Sequence, residues 1–242
     1  MEFTFCGAVY KPHASWIDFF TPAILDELEY IARAAGSGFT PPADKVLRFC
    51  MTDLSLVRVI ILGQDPYPQP GVATGRAFEV GNIKSWAELK RNASLVNILK
   101  LLHMNHLQLD EPVGIAQIRK DMDSGLFPLL PPARLFGHLE GEGVLFLNTA
   151  LTCLLNNSGS HAEIWKPFSA ELFRFITDNN PRAKWLLWGK DAQEFCSFAP
   201  DERKLTSYHP RLFDRKPGSF LYENHFAACP EIDWIGLQGS AD

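Results

Sequence analysis

Six consecutive residues carry the most chemistry in this chain: Gly63-Gln64-Asp65-Pro66-Tyr67-Pro68, closing the run Val57-Arg58-Val59-Ile60-Ile61-Leu62. Glycine opens backbone angles closed to other residues, and the two prolines fix φ and remove donors. The expectation is a rigid loop at a strand's carboxyl end that presents one carboxylate, Asp65, and one ring, Tyr67. Ligands of open α/β sheets sit at that edge, and a carboxylate there can orient or deprotonate water. Asn148 ends a second apolar run and offers a donor and an acceptor in fixed geometry, suited to an amide-like edge. His209, followed by Pro210, can donate to a developing anion or shuttle a proton. Phe78, in Thr74-Gly75-Arg76-Ala77-Phe78, can stack on a base. Each also has a plainer use. Asp-Pro, Asn after a strand and His-Pro all form turns, and a chain with eighteen Phe needs most of them for packing.

The elements that must position these groups are legible as runs. Residues 16–35 carry Trp16, Phe19, Phe20, Ile24, Leu25, Leu28 and Ile31 at helical spacing, with Gly36-Ser37-Gly38 as the stop. A second helix is expected over 43–51 after Pro41-Pro42, and a third, amphipathic, over 94–106 with Asn92 or Ser94 as its cap. Residues 107–142, rich in Pro and Gly, read as a long excursion with one or two short helices. Further helices are expected over 167–178 and from about 191. Strands are expected at 57–62, 144–147, 184–188 and 203–208. Continuous apolar strands alternating with helices imply an α/β fold: one four-stranded, mostly parallel twisted sheet, helices on both faces. The four strands end at Asp65, Asn148, Gly189-Lys190 and His209. A parallel sheet puts all four ends on one rim, so polar groups far apart in sequence converge there.

With 242 residues and 46% hydrophobic content, the chain can bury a large core, and residues 1–242 are read as one domain. A net charge of −5 does not advertise a nucleic-acid binder, although a basic footprint can be local. The five cysteines include no Cys-x-x-Cys pair. That predicts free thiols in a reducing compartment and argues against structural zinc or an iron–sulfur cluster. No apolar run approaches the roughly 20 residues of a membrane span, and no secretory signal is visible. A soluble cytoplasmic protein is therefore expected.

The six-residue string resembles the water-activating loop of the family 1 uracil-DNA glycosylases. The likeness runs in order from about Trp16 to Trp234. Phe39-Thr40-Pro41-Pro42 is similar to the family's lead-in, Gly75-Arg76-Ala77-Phe78 to its uracil-stacking segment, and Ser94-Leu95-Val96-Asn97-Ile98 to the end of its proline-rich loop. The run from Gly143 to Thr152 looks like the uracil-reading strand, with Ser160-His161 and Trp165 fitting the start of the next helix. Leu186-Leu187-Trp188-Gly189-Lys190 resembles the Gly-Ser loop, and His209-Pro210 with Gly218 resembles the DNA-intercalating segment.

The resemblance implies hydrolysis of the N-glycosidic bond of deoxyuridine in DNA, leaving an abasic site. It also implies roles. Asp65 would position water and stabilise the sugar cation. His209 would donate to uracil O2, helped by backbone amides near Gln64 and Asp65. Asn148 would read the N3 and O4 edge, Phe78 would stack, and Tyr67 would exclude thymine's methyl. Ser94, Gly189, Lys190, Pro210, Arg211, Leu212 and Phe213 would meet the DNA. No metal or organic cofactor is implied. The implied partners are uracil-containing DNA and a proteinaceous glycosylase inhibitor, with the chain acting as a monomer and no membrane involved.

Three departures concern the grip on DNA. Asn92-Ala93 replaces the family's Pro-Pro, so that loop is expected to be less rigid. Lys190 and Arg211 each stand where the family has a serine, which predicts a steep salt dependence of binding. Phe213 stands in place of the family's wedge leucine, and is expected to fill the gap left by a flipped base. One competing reading keeps the fold and drops the reaction, giving a DNA-binding or replication-accessory protein. Joint retention of Asp65, Asn148 and His209 argues against it. Another is an unrelated α/β hydrolase or phosphate-binding enzyme, but neither a Gly-x-Ser-x-Gly elbow nor a P-loop is present.

Overall fold

A computed structural model describes residues 1–90 and 92–237. Its centre is a four-stranded sheet of Val59–Gly63, Val144–Asn148, Lys184–Trp188 and Lys204–Ser207, here called the first to fourth strands. The spatial order is second, first, third, fourth, and every pairing is parallel. The first two strands are buried at every position, because helices cover both faces of the sheet. Strand alternation then feeds two separate cores. Ile60, Leu62, Leu145, Leu147, Trp185 and Leu187 point to one, and Val59, Ile61, Val144, Phe146, Leu186 and Trp188 to the other. Helices Pro22–Ala35 and Ala162–Asn179 cover the first face. Helices Ala93–His106, Ile115–Asp123 and Pro132–Gly141, with residues 220–235, cover the second. This is a single α/β domain of the kind the runs predict. Among the described residues, no helix is long and apolar enough to cross a membrane.

Three helix boundaries differ from expectation. The first helix starts at Pro22, not at residue 16. Thr21 caps it, its Oγ1 accepting from Ile24 N at 3.4 Å, and proline at the first position suits a helix start. Trp16, Phe19 and Phe20 are buried in an aromatic cluster instead, with Trp16 Nε1 donating to Thr52 O at 2.7 Å. Their apolar spacing reports tertiary packing, not helical periodicity. The expected 43–51 helix is two short pieces, Ala43–Val46 and Arg48–Met51. At the break, Leu47 N donates to Tyr10 Oη at 3.1 Å rather than only along the helix. The helix expected from 167 begins at Ala162, with Pro167 inside it. Trp165 N bonds to His161 O at 3.2 Å, and the fully buried Trp165 ring secures that extra turn.

Two connections matter for the site. The pair Cys153–Leu154 runs antiparallel to Phe39–Thr40 and brings the 155–161 loop beneath the loop that follows the first strand. Helix Ala93–His106 lies beside the segment after the fourth strand. Its fully buried Asn97 donates from Nδ2 to Pro210 O at 2.7 Å and to Leu212 O at 3.1 Å.

Candidate active site

The carboxyl ends of the four strands form one rim, and the singled-out residues lie along it. Gly63 and Asn148 end the first two strands in register. Asn148 is buried, and its Oδ1 lies against Gly63 so closely that a Cβ at 63 would collide with it. Glycine is therefore what lets the amide lie across the strand end. Among the described residues the Asn148 side chain has no hydrogen-bond partner, which leaves its donor and acceptor free for a ligand. Just beyond Gly63, the carbonyl of Gln64 accepts from Ala150 N at 2.9 Å and from Thr149 Oγ1 at 2.7 Å. The backbone N–H groups of Gln64 and Asp65 donate to no acceptor among the described residues. They are available to an electronegative atom placed above the rim.

Asp65 is held from one side. Ser158 Oγ donates to Asp65 Oδ2 at 2.8 Å, and Gly159 N donates to the same oxygen at 2.5 Å. Two donors on one oxygen fix the carboxylate plane and leave Oδ1 to meet water. The 153–159 segment grips the rest of the loop as well. Cys153 Sγ donates to Pro66 O at 3.3 Å, and Asn156 N donates to Pro68 O at 2.8 Å. Ser158 and Gly159 are functional candidates that sequence reasoning missed. Nothing local marks them, because their role exists only once a loop 93 and 94 positions further along the chain has folded back onto Asp65.

His209 follows the fourth strand and is partly buried. Its Nδ1 accepts from Arg211 N at 3.1 Å. A ring nitrogen that accepts carries no proton, so the neutral imidazole has its proton on Nε2 and can donate there. Burial lowers the His209 pKa below the usual value, and the Arg211 charge lowers it further, while Asp191 opposes both. The neutral form is thus favoured by the site itself. Gly189, at φ +100, passes so close that a Cβ there would lie 3.2 Å from His209 Cβ. Gly63, Gln64, Trp188, Gly189, Lys190, His209 and Arg211 share the walls of a cavity of about 210 Å³.

Phe78 neighbours two of the residues that line this cavity. Its ring centroid is 5.2 Å from that of Trp188 and 6.3 Å from that of His209. Its φ is +65, an unfavourable angle for a residue with a side chain. Such strain persists only where the surroundings over-determine it. Here a half-buried ion network does so: Arg76 donates to Glu79 at 3.1 Å and to Glu140, while Arg48 Nη1 donates to Thr74 O at 3.0 Å. Below, Trp188 Nε1 donates to His225 Nδ1 at 3.1 Å, and burial pushes the His225 pKa down to about 4.

Tyr67 forms a wall where the rim meets a larger groove of about 730 Å³, which Ser94 and Arg211 also line. Asn92 Nδ2 donates to Tyr67 Oη at 2.9 Å, and burial raises the phenol's pKa. Lys190 and Arg211 are exposed, as are Leu212 and Phe213, whereas Pro210 is buried. Lys100 Nζ sits 4.6 Å above the Phe213 ring. The predicted residues thus fall into two groups. Asp65, Gln64, Tyr67, Phe78, Asn148 and His209 lie along the strand-end rim, while Lys190, Arg211, Leu212 and Phe213 are the exposed residues, of which Lys190 and Arg211 also line the cavity. Among the described residues, no three His, Cys, Asp or Glu side chains are grouped to hold a metal ion.

A carboxylate that faces water, free backbone donors, a neutral imidazole donor, an unpaired amide and a stacking ring can bind a planar amide-containing base and stabilise charge as it departs. Comparison with known proteins points the same way. The family model described as the uracil DNA glycosylase superfamily matches residues 51–230. The uracil-DNA glycosylase of Salmonella agona (strain SL483) is 31% identical over 227 residues, covering 90% of this chain and 86% of that protein. The wild-type UNG crystal structure from Nitratifractor salsuginis is similar at a TM-score of 0.70 and 26% identity, covering 91% of each chain. A mimivirus UNG variant crystallised in complex with UGI shares the fold at a TM-score of 0.65 and 24% identity, covering 89% of this chain and 82% of that one.

Proposed function

Since the chain belongs to the uracil-DNA glycosylase superfamily, we infer that the rim just described is where it flips uracil out of DNA and hydrolyses the N-glycosidic bond. The activity is DNA repair by uracil excision. A base stacked in a duplex is out of reach, and extruding it costs roughly a few kcal/mol. Uracil stacks on Phe78. Asn148 reads N3 and O4, accepting from N3–H and donating to O4, and cytosine presents the opposite pattern. His209 Nε2–H and the Gln64 and Asp65 amides meet O2, where negative charge grows as the bond breaks. Asp65 Oδ1 orients water and faces the sugar cation. Tyr67 occupies the space of thymine's methyl. Ser94, Gly189, Lys190, Pro210, Arg211, Leu212 and Phe213 serve the DNA strand around the flipped nucleotide.

One observation carries the donor role of His209: Nδ1 accepts from Arg211 N, which commits the proton of the neutral ring to Nε2. The whole of residues 1–242 is taken as one catalytic monomer. A proteinaceous glycosylase inhibitor is a second partner, a reading supported by the UGI complex of the mimivirus protein. The five free cysteines favour a reducing compartment such as the cytoplasm.

The test is a labelled oligonucleotide with one uracil, incubated with the protein and then treated with alkali. Strand cleavage at uracil, none at thymine or cytosine, and none with an Asp65→Asn/His209→Gln double variant is the expected result. Binding without cleavage by the parent chain would overturn the reaction and leave the accessory role.

A further inference from the structure

Asn92 occupies a position where the sequence predicts a loosened loop, yet both ends of its amide are in use. Oδ1 accepts from Leu95 N at 2.9 Å, capping helix Ala93–His106. Nδ2 donates to Tyr67 Oη at 2.9 Å. A planar amide pinned at both ends has no rotational freedom left. It ties the start of a 14-residue helix to the ring that walls the rim. The same helix holds Pro210 O and Leu212 O through Asn97, so its N-terminal turns are anchored to the rim on both sides.

We propose that Asn92 is a specificity-determining positioning residue, which holds the Tyr67 ring against bases that carry a substituent at C5. The proposal rests on the assignment of Tyr67 to the base-facing wall. A single methyl group is a small difference, and an apolar wall that can yield discriminates against it by only about 10–200-fold. A tyrosine side chain can move between staggered rotamers at little cost when nothing holds its hydroxyl. Fixing the hydroxyl removes that escape, so a C5 substituent meets a wall that cannot retreat. The neighbouring groove, lined by Asn92 and Tyr67 together, is the space into which a released ring would swing. Asn92 therefore acts through Tyr67 and does not touch the base.

The experiment compares release of 5-bromouracil and of uracil from otherwise identical single-stranded oligonucleotides, bromine being close to methyl in size. Asn92→Ser keeps a good helix cap but cannot reach Tyr67. Its 5-bromouracil-to-uracil rate ratio is expected to rise about tenfold, the effect of one substituent in a yielding pocket. Tyr67→Phe should raise the ratio similarly, and the double variant no further, because both remove one bond. Asn92→Asp keeps the cap and can accept from the Tyr67 hydroxyl, so it should retain the parent ratio. A weakened helix start would slow both substrates together and leave the ratio unmoved. An unchanged ratio in a folded Asn92→Ser variant overturns the proposal while leaving uracil excision intact. Failure of the parent to release uracil would instead overturn the functional reading itself.

Discussion

Asp65 accepts two hydrogen bonds on a single oxygen, and both come from a loop that holds no other group assigned to the chemistry. The Ser158 hydroxyl can be removed without touching the backbone donor of Gly159, so its contribution is separable. Misplacing a reacting group even slightly is costly when catalysis depends on orientation. Ser158→Ala is expected to lower the single-turnover rate of uracil release about tenfold with little change in DNA affinity. A rate within about twofold of the parent would mean that Gly159 N alone orients the carboxylate. His209 gives a second prediction at this scale, and its sign can be worked out. Its pKa lies below the usual 6.5, so neutral imidazole, the donor in the proposed role, survives into mildly acidic solution. Activity is present above the folded pKa and is lost as pH falls through it. Arg211 lowers that pKa by its charge, and Arg211→Ser keeps the backbone N–H that fixes the tautomer. The acid limb of the pH–rate profile should then move to higher pH. It should stay below 6.5, because burial, the larger cause, is unchanged. An unmoved limb would show that solvent screens the Arg211 charge.

Strands were easier to read from the sequence than helices, for a physical reason. Val59–Gly63 and Val144–Asn148 are buried on both faces, so every residue reports the same environment. The run Trp16, Phe19, Phe20 misled because an aromatic cluster can satisfy the same spacing as a helix. Asp65, Asn148 and His209 were legible because strand ends in a parallel sheet must share a rim. Ser158, Gly159 and the Asn92–Tyr67 bond were not, since each depends on a contact between distant segments. The substitution of Asn92-Ala93 for Pro-Pro gave no hint of the cap and cross-link that Asn92 makes. Helix Ala93–His106 also anchors the segment after His209, and this shapes what Phe213 can do. Phe213 is 59% exposed beyond that anchor, with Lys100 over its ring. An exposed ring on a tethered loop costs little to withdraw from water and can enter a base stack. Phe213→Ala should reduce uracil excision from duplex DNA about tenfold, because unstacking is worth a few kcal/mol per step. Excision from single strands, where no gap needs filling, should hardly change. Equal losses on both substrates would remove the wedge role.

The whole molecule carries a net charge of −5 yet must approach a polyanion, so its affinity has to come from a few placed cations. Several basic residues in the segments that follow the third and fourth strands are already paired. Lys190 meets Glu194 at 3.3 Å, Lys216 meets Asp214 at 3.0 Å, and Arg215 meets Glu111. Such exposed pairs are weak, but a phosphate must still displace the carboxylate, and the displaced negative charge then faces DNA. Arg211 makes no ion pair among the described residues, and it lines both the smaller cavity and the larger groove. The two serine-to-cation departures are therefore unequal. Each phosphate neutralised releases counterions, so losing one phosphate-binding cation should flatten the log–log salt dependence of binding by about one unit. Arg211→Ser is expected to show nearly that full change in a fluorescence-anisotropy titration of uracil-containing DNA across salt concentrations. Lys190→Ser should show clearly less, and Glu194→Gln should steepen the slope by freeing Lys190. If both serine variants keep the parent slope, neither cation meets a phosphate. The grip would then rest on backbone donors and on the exposed Leu212 and Phe213.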